Sequence, residues 1–214
     1  DDRRGSLPMS DLLECRLAGI QVTDLATFFE REAGKIKLGI VDPSWLVFSD
    51  GFDRRQWRQV TKRAFDMAAS TILLLLAAPL MLLTALAIWL ESGFKGPIIY
   101  RQERVGEGGR VFTVLKFRSM RTDAEKDGKA VWAQKDDDRI TTVGRVIRKL
   151  RIDELPQVFN VLRGDMSFVG PRPERPCFVA DLSKQIPYFG LRHCVKPGIT
   201  GWAQLRYAYG ASVE

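Results

Sequence analysis

The sequence has a single histidine, His193, among its 214 residues. A mechanism that needs two imidazoles is therefore excluded, and with it the common zinc hydrolases. Cysteine is scarce too. Cys15, Cys177 and Cys194 are odd in number and show no CxxC spacing. That argues against a disulfide framework and against a thiolate zinc site, and it fits a reducing, cytosolic setting. No secretory signal is read, because the first apolar run comes late and no small-residue cleavage site follows it. Internal repeats and low-complexity tracts are lacking. Acidic residues are outnumbered, 26 to 33, which leaves a net charge of +7 and a pI of about 9.5. An anionic partner is expected; nucleic acid, anionic lipid and phosphorylated small molecules each satisfy that charge.

One long stretch has no charge at all. Met67 to Leu90 reads MAASTILLLLAAPLMLLTALAIWL. As a straight helix at about 1.5 Å per residue it would reach roughly 36 Å, enough for a hydrocarbon core of about 30 Å. It lacks a polar face, so a buried helix of a soluble domain fits it poorly. Pro79 lies mid-run, where it removes a backbone donor and predicts a kink. Arg54, Arg55, Arg58, Lys62 and Arg63 precede the run, and Lys95, Arg101 and Arg104 follow it. Basic flanks favour the cytosolic side. With both flanks basic and no second apolar run, the expectation is a re-entrant helix that bends at Pro79 and returns to the same face; a simple span is the alternative. Ser70, Thr71 and Thr84 can help satisfy the backbone groups that a bend releases.

Residues before about Asp50 read as a separate soluble element. Thr23 is the expected N-cap of a helix DLATFFEREA, with Gly34 ending it. Asp42-Pro43 marks a turn, and SWLVF is expected as a strand or an interfacial anchor. After the apolar run, PIIYRQERV and RVFTVLKFRSM are β-rich and joined by Gly106-Glu107-Gly108-Gly109, a hairpin pattern. Thr122 to Asp138 reads as a surface loop with some helix. Gly144–Leu150 and Gln157–Leu162 read as short helices, and prolines and glycines break the chain from Val169 onward. The stretch CFVADLSKQIPYFGLR mixes aromatics with bases and fits either the membrane interface or a core-facing helix. The expected fold class is a small α/β (α+β) domain attached to a Pro-kinked membrane helix.

The densest chemistry lies in RKLRIDELPQVFNVLRGDMSFVGPRPERP. Asp153 and Glu154 are adjacent acids among Arg148, Lys149 and Arg151. Pro156 suits a helix's first turn, which puts the acids at or just before an N-terminus, where the dipole favours ionised carboxylates. An ionised carboxylate can attack phosphorus or hold Mg²⁺. Adjacent residues point about a third of a turn apart, so one acid can be nucleophile and the other metal ligand, in either order. Arg172 stands between two prolines in GPRP, a stiff setting for a side chain shaped to grip phosphate oxygens. Lys116 and Arg118 end a β-rich stretch and can face the same site. Acids with a metal, ringed by bases, suit a pyrophosphate substrate. Other signals are weaker. Asp136-Asp137-Asp138 can bind a divalent ion or simply be solvated. The Gly106–Gly109 turn lacks the Lys-Ser/Thr of a phosphate loop. Trp202 is expected in the core, and Cys177 and Cys194 as buried small residues. Interleaved aromatic and basic residues are not clustered, so no nucleic-acid partner is expected. A membrane-anchored basic module without catalysis is the alternative.

KRAFD before the apolar run, then LKFRSM, DELPQ, NVLRGDMSFVGPRP and VKPGITGWAQ, in this order, resemble the bacterial sugar transferase family, the monotopic phosphoglycosyl transferases. The resemblance extends from about Lys62 to Tyr209. It implies a re-entrant helix over 62–92 and a catalytic domain over 93–214 on the cytosolic face of the bacterial inner membrane. It implies Mg²⁺, a UDP-sugar and polyprenyl phosphate as partners along with membrane lipid. It implies that Asp153 attacks the donor β-phosphate and releases UMP, and that polyprenyl phosphate then takes the phosphosugar. Glu154 matches the family's metal-binding acid, with Asp153 beside it. Arg172 matches its phosphate-gripping arginine, and Lys116, Arg118 and Arg148 match basic positions lining the site. Arg206 departs from the asparagine many members carry after GWAQ. Residues 1–61 resemble the linker or upstream remnant of larger members, and SWLVFSDGF resembles a branch tied to exopolysaccharide export. The chain, beginning at Asp1, is thus expected to be a piece of a longer protein lacking its C-terminal end. Homo-oligomer formation is left open.

Overall fold

The structure, a computed structural model, describes residues 8–34, 41, 43–48, 55–124 and 137–206. The chain divides into two units, Asp1–Asp53 and Arg54–Glu214.

In the first unit, α1 spans Met9–Leu17, α2 Leu25–Ala33 and α3 Pro43–Phe48. The cap of α2 is Asp24, one residue after the expected Thr23: its carboxylate accepts from Thr27 N at 2.9 Å and from the Thr27 hydroxyl at 2.6 Å. A carboxylate reaches the exposed N–H groups and complements the dipole, so it displaces the threonine. Gly34 ends the helix in the left-handed region, as expected. SWLVF is not a strand: it belongs to α3, and Trp45 Nε1 donates to Thr27 Oγ1 at 2.8 Å. Asp42, half of the expected turn, lies outside the described residues.

The second unit opens with α4, Gln56–Glu91, a continuous helix with Pro79 inside it. It is the one described helix long and apolar enough to cross a membrane. Leu75, Leu76, Leu82 and Leu83 are at least 64% exposed, a surface that water would disfavour. Thr71 and Thr84 donate to Met67 O and Leu80 O. Neither serves the Leu75 carbonyl, whose helical partner Pro79 removes.

The ends of α4 carry its polar contacts. Arg63 donates to Val161 O and Leu162 O at 2.6 and 2.7 Å. Buried Asp66 accepts from Ser167 Oγ and Phe168 N, each at 3.0 Å. Lys62 Nζ donates to Val169 O at 2.9 Å. At the far end Glu91 accepts from Val143 N at 3.0 Å, and Ile88 packs with Phe117 and Ile147.

β1 (Ile99–Val105) and β2 (Val111–Phe117) form the expected antiparallel hairpin, in register from Ile99↔Phe117 to Val105↔Val111. Alternation divides its residues. Val114 and Lys116 share one face, and Phe117 goes to the other, against α4 and α5 (Thr142–Lys149). Val114 packs on α6 (Gln157–Arg163), Met166, Phe168 and Ile199. β3 (Ser167–Val169) pairs in parallel with β4 (Gly198–Thr200). A Cβ on Gly170 or Gly198 would strike the opposing backbone, so this close crossing requires glycine. α7 (Pro176–Gln185), a one-turn helix Phe189–Cys194 and α8 (Trp202–Arg206) complete the described chain. Trp202 is 61% exposed rather than in the core and stacks with Arg206 at 4.7 Å. Cys177 is exposed, not buried, while Cys194 is half-buried. The second unit is a mixed helix-and-sheet domain with one long apolar helix, which matches the α/β part of the expected fold class.

Candidate active site

Asp153 and Glu154 lie in a single tight turn, Ile152–Glu154, that leads through Leu155 and Pro156 into α6. The acids thus stand just before a helix, as the proline suggested. Arg151 opens the turn with a positive φ of 60°. That conformation is uncommon for a residue with a Cβ and aims the acids back towards β2.

The link to β2 is Asn160, fully buried in α6. Its Oδ1 accepts from Leu115 N at 3.0 Å and its Nδ2 donates to Thr113 O at 2.7 Å. The side chain therefore replaces a neighbouring strand for β2. It fixes α6, and the acids before it, against the strand that carries Lys116.

Three cations meet Glu154 Oε1: Lys116 Nζ at 2.9 Å, Arg151 Nη1 at 3.4 Å and Arg172 Nη2 at 3.8 Å. Burial alone would raise the Glu154 carboxyl, but Lys116, Arg172 and Arg151 hold it below the ordinary 4.5. Asp153 behaves oppositely. Burial pushes its carboxyl above the ordinary 3.8, Lys116 offsets this only in part, Glu154 adds to it, and Arg148 and Arg151 pull it down. The two adjacent acids thus shift in opposite directions: cations outweigh burial at Glu154, and burial outweighs them at Asp153. Asp153 Oδ1 is buried without a hydrogen-bond partner. An orphaned buried acceptor is costly, and such atoms mark sites where a ligand or ion completes the bonding.

Lys116, Glu154 and Arg172 line one cleft with Arg104, Val114, Gln157, Pro173, Gly198, Ile199 and Gln204. Arg148 stands at the end of α5 and acts on Asp153 through space. Arg118 goes elsewhere: its buried guanidinium lies against Gly96, after α4, with Nη1 unpartnered. Asp137 is taken by Arg139, which donates to it at 2.6 and 2.7 Å, and Asp136 lies outside the described residues. Arg104, Arg151, Gln157 and Gln204 were not singled out from sequence. Arg151 was legible as a basic neighbour of the acids. Gln157 opens α6 just beyond Glu154, whereas Arg104 and Gln204 reach the cleft only through the packing of the hairpin and of the β3–β4 crossing against it.

Among the described residues no cluster of three or more His, Cys, Asp or Glu could hold a metal. Mg²⁺ needs less: one or two carboxylates suffice when substrate phosphates and water supply the remaining oxygens. The Asp153–Glu154 pair, with its orphaned oxygen, fits that donor set.

The chain is 44% identical over 211 residues to a UDP-N-acetylgalactosamine-undecaprenyl-phosphate N-acetylgalactosaminephosphotransferase of Aeromonas hydrophila, covering 95% of this chain and 47% of that protein. It is 50% identical over 161 residues to an undecaprenyl-phosphate glucose phosphotransferase of Komagataeibacter xylinus, covering 74% of this chain and 30% of that protein. It is 49% identical over 152 residues to a UDP-glucose:undecaprenyl-phosphate glucose-1-phosphate transferase of Caulobacter vibrioides, covering 71% of this chain and 55% of that protein. The chain thus spans about half or less of the first two of these relatives. The sequence pattern of the bacterial sugar transferases matches residues 57–214, a stretch that holds all but the first residue of α4, the acid pair and every cation around it, and the chain belongs to that family.

Proposed function

We propose that this chain carries the catalytic part of an enzyme that moves a sugar-1-phosphate from a UDP-sugar to undecaprenyl phosphate. An Asp153 oxygen attacks the donor's β-phosphorus, the bond from that phosphorus to the bridging oxygen breaks, and UMP leaves with the electron pair. The resulting phosphosugar-aspartate is attacked by an oxygen of the lipid phosphate. The phosphorus–aspartate bond breaks, which restores the carboxylate and yields a lipid diphosphosugar. The observation that carries this reading is the contrast within the acid pair. Glu154 is locked among three cations, whereas Asp153 has a buried unpartnered oxygen and a raised affinity for a proton. A poorly solvated carboxylate is the more reactive nucleophile of the two.

Lys116, Arg151 and Arg172 exceed the charge of Glu154 and leave positive potential for a pyrophosphate. Glu154, with Asp153, would hold Mg²⁺, which would supply further stabilisation of negative charge on the transferred phosphoryl group. The geometry of α4 favours re-entry. Asp66 and Ile88, near opposite ends of the apolar run, both pack on the domain that holds the site. Contact of one domain with both ends supports a helix that enters and leaves the bilayer by the same face, and its flanking bases favour the cytosolic side of the inner membrane.

The test is membrane-reconstituted protein with undecaprenyl phosphate and either UDP-glucose or UDP-N-acetylgalactosamine, reading UMP. Turnover with at least one donor and its loss in Asp153→Asn are expected. Sustained UMP release by Asp153→Asn would remove Asp153 as nucleophile.

A further inference from the structure

Arg172 reaches the site on residues 170–175, a segment that is neither helix nor strand. Pro171 and Pro173 have no amide hydrogen, so the segment cannot build an ordinary ladder on both sides. Even so, four consecutive carbonyls accept hydrogen bonds. Pro171 O accepts from Gly198 N at 3.0 Å and Glu174 O from Val105 N at 2.9 Å. Between them Arg172 O accepts from Arg192 Nη2 at 2.6 Å, and Pro173 O from Arg104 Nη1 at 3.0 Å. Two of the four donors are guanidinium groups brought from distant parts of the chain.

Both arginines are themselves held. Arg192 stacks on Phe189 at 4.8 Å. Arg104 Nε donates to Gln102 Oε1 at 3.0 Å, and Gln102 Nε2 donates to Tyr100 Oη at 3.0 Å, a run of side chains along one face of β1. The Glu174 carboxylate lies 3.5 Å from Arg104, so the segment returns part of the charge it receives. Lysine has no planar fork and would not reproduce this geometry.

We propose that Arg104 and Arg192 are positioning residues: by holding the carbonyls of Pro173 and Arg172 they set where the Arg172 guanidinium stands against Glu154. This rests on the reading of Arg172 as the group that grips donor phosphate. Arg192 does not line the cleft and Arg104 does, so Arg192 gives the cleaner test. A misplacement of about 1 Å at such a group can cost roughly 100-fold in rate.

The experiment is a double-mutant cycle on the full chain in membranes, with radiolabelled donor so that slow turnover stays measurable. Arg192→Leu is expected to lower kcat roughly 10- to 100-fold with donor KM changed less than about threefold. Added to Arg172→Ala, it should cost less than about twofold more, because the group it positions is gone. The melting temperature is read alongside. If Arg192→Leu does not fold, Arg192→Lys, which keeps the charge and loses the fork, and Arg104→Met enter the same cycle. Losses that multiply in full with that of Arg172→Ala, or wild-type kcat in the single variants, overturn the clamp alone. Wild-type turnover in Arg172→Ala overturns the phosphate-gripping reading, and the clamp with it.

Discussion

The hairpin and the proline-rich segment each deliver one cation to Glu154, by opposite means. β1 and β2 carry Lys116 on a regular backbone ladder whose register fixes every side chain. Residues 170–175 carry Arg172 on a backbone whose two central carbonyls are caught by other residues' side chains. A ladder is written locally, in alternation and a turn. A segment held by distant guanidinium groups has no such local code. The difference should appear in what each region's disruption does.

The largest effect is expected at the cations themselves. Arg172→Ala and Lys116→Met should each lower kcat/KM by roughly 10²–10³-fold, measured by UMP release. Only Lys116→Met should also lower the melting temperature clearly, because it leaves the half-buried Glu154 without its shortest partner. Equal destabilisation by the two would erase the contrast.

Next comes Asn160→Ala, which strips β2 of its side-chain neighbour and leaves Leu115 N and Thr113 O unpaired. A loss of about 2–4 kcal/mol is expected, read as a lower unfolding midpoint. A change under about 0.5 kcal/mol would show that the hairpin does not need this bridge.

Smaller effects concern pH. The Asp153 carboxyl is raised, so activity should fall with acid at a higher pH than an ordinary aspartate of 3.8 would give. Lys116 lowers that carboxyl, so in Lys116→Met the acid limb should move further up. A limb that stays put would separate Lys116 from Asp153. The Glu154 carboxyl is lowered on folding and therefore stabilises the fold above its unfolded value near 4.5. That contribution is lost as pH falls through the lower folded value, so melting temperature should drop more steeply there in the wild type than in Glu154→Gln.

Much of this arrangement was legible. The hairpin, α5 and α6 followed from alternation, glycine and short apolar periodicity, and the acid pair was recognisable from two carboxylates set before a proline among bases. Other features needed the tertiary structure. SWLVF has strand-like composition, yet it is helical. Asp24 displaced Thr23 because a carboxylate caps better at that site. Arg118 shares β2's alternation with Lys116, yet its guanidinium lies over Gly96 where the strand has ended. The opposite shifts of Asp153 and Glu154 depend on burial and on which cation reaches which oxygen, and adjacency in sequence conveys neither.

The most direct measurement is the mass of the intact protein after incubation with UDP-sugar and no lipid acceptor. A gain of one phosphosugar that maps to the peptide bearing Asp153, and is absent in Asp153→Asn, is predicted. Turnover with lipid acceptor but no such adduct, or an adduct on Glu154, would contradict the division of roles between the two acids.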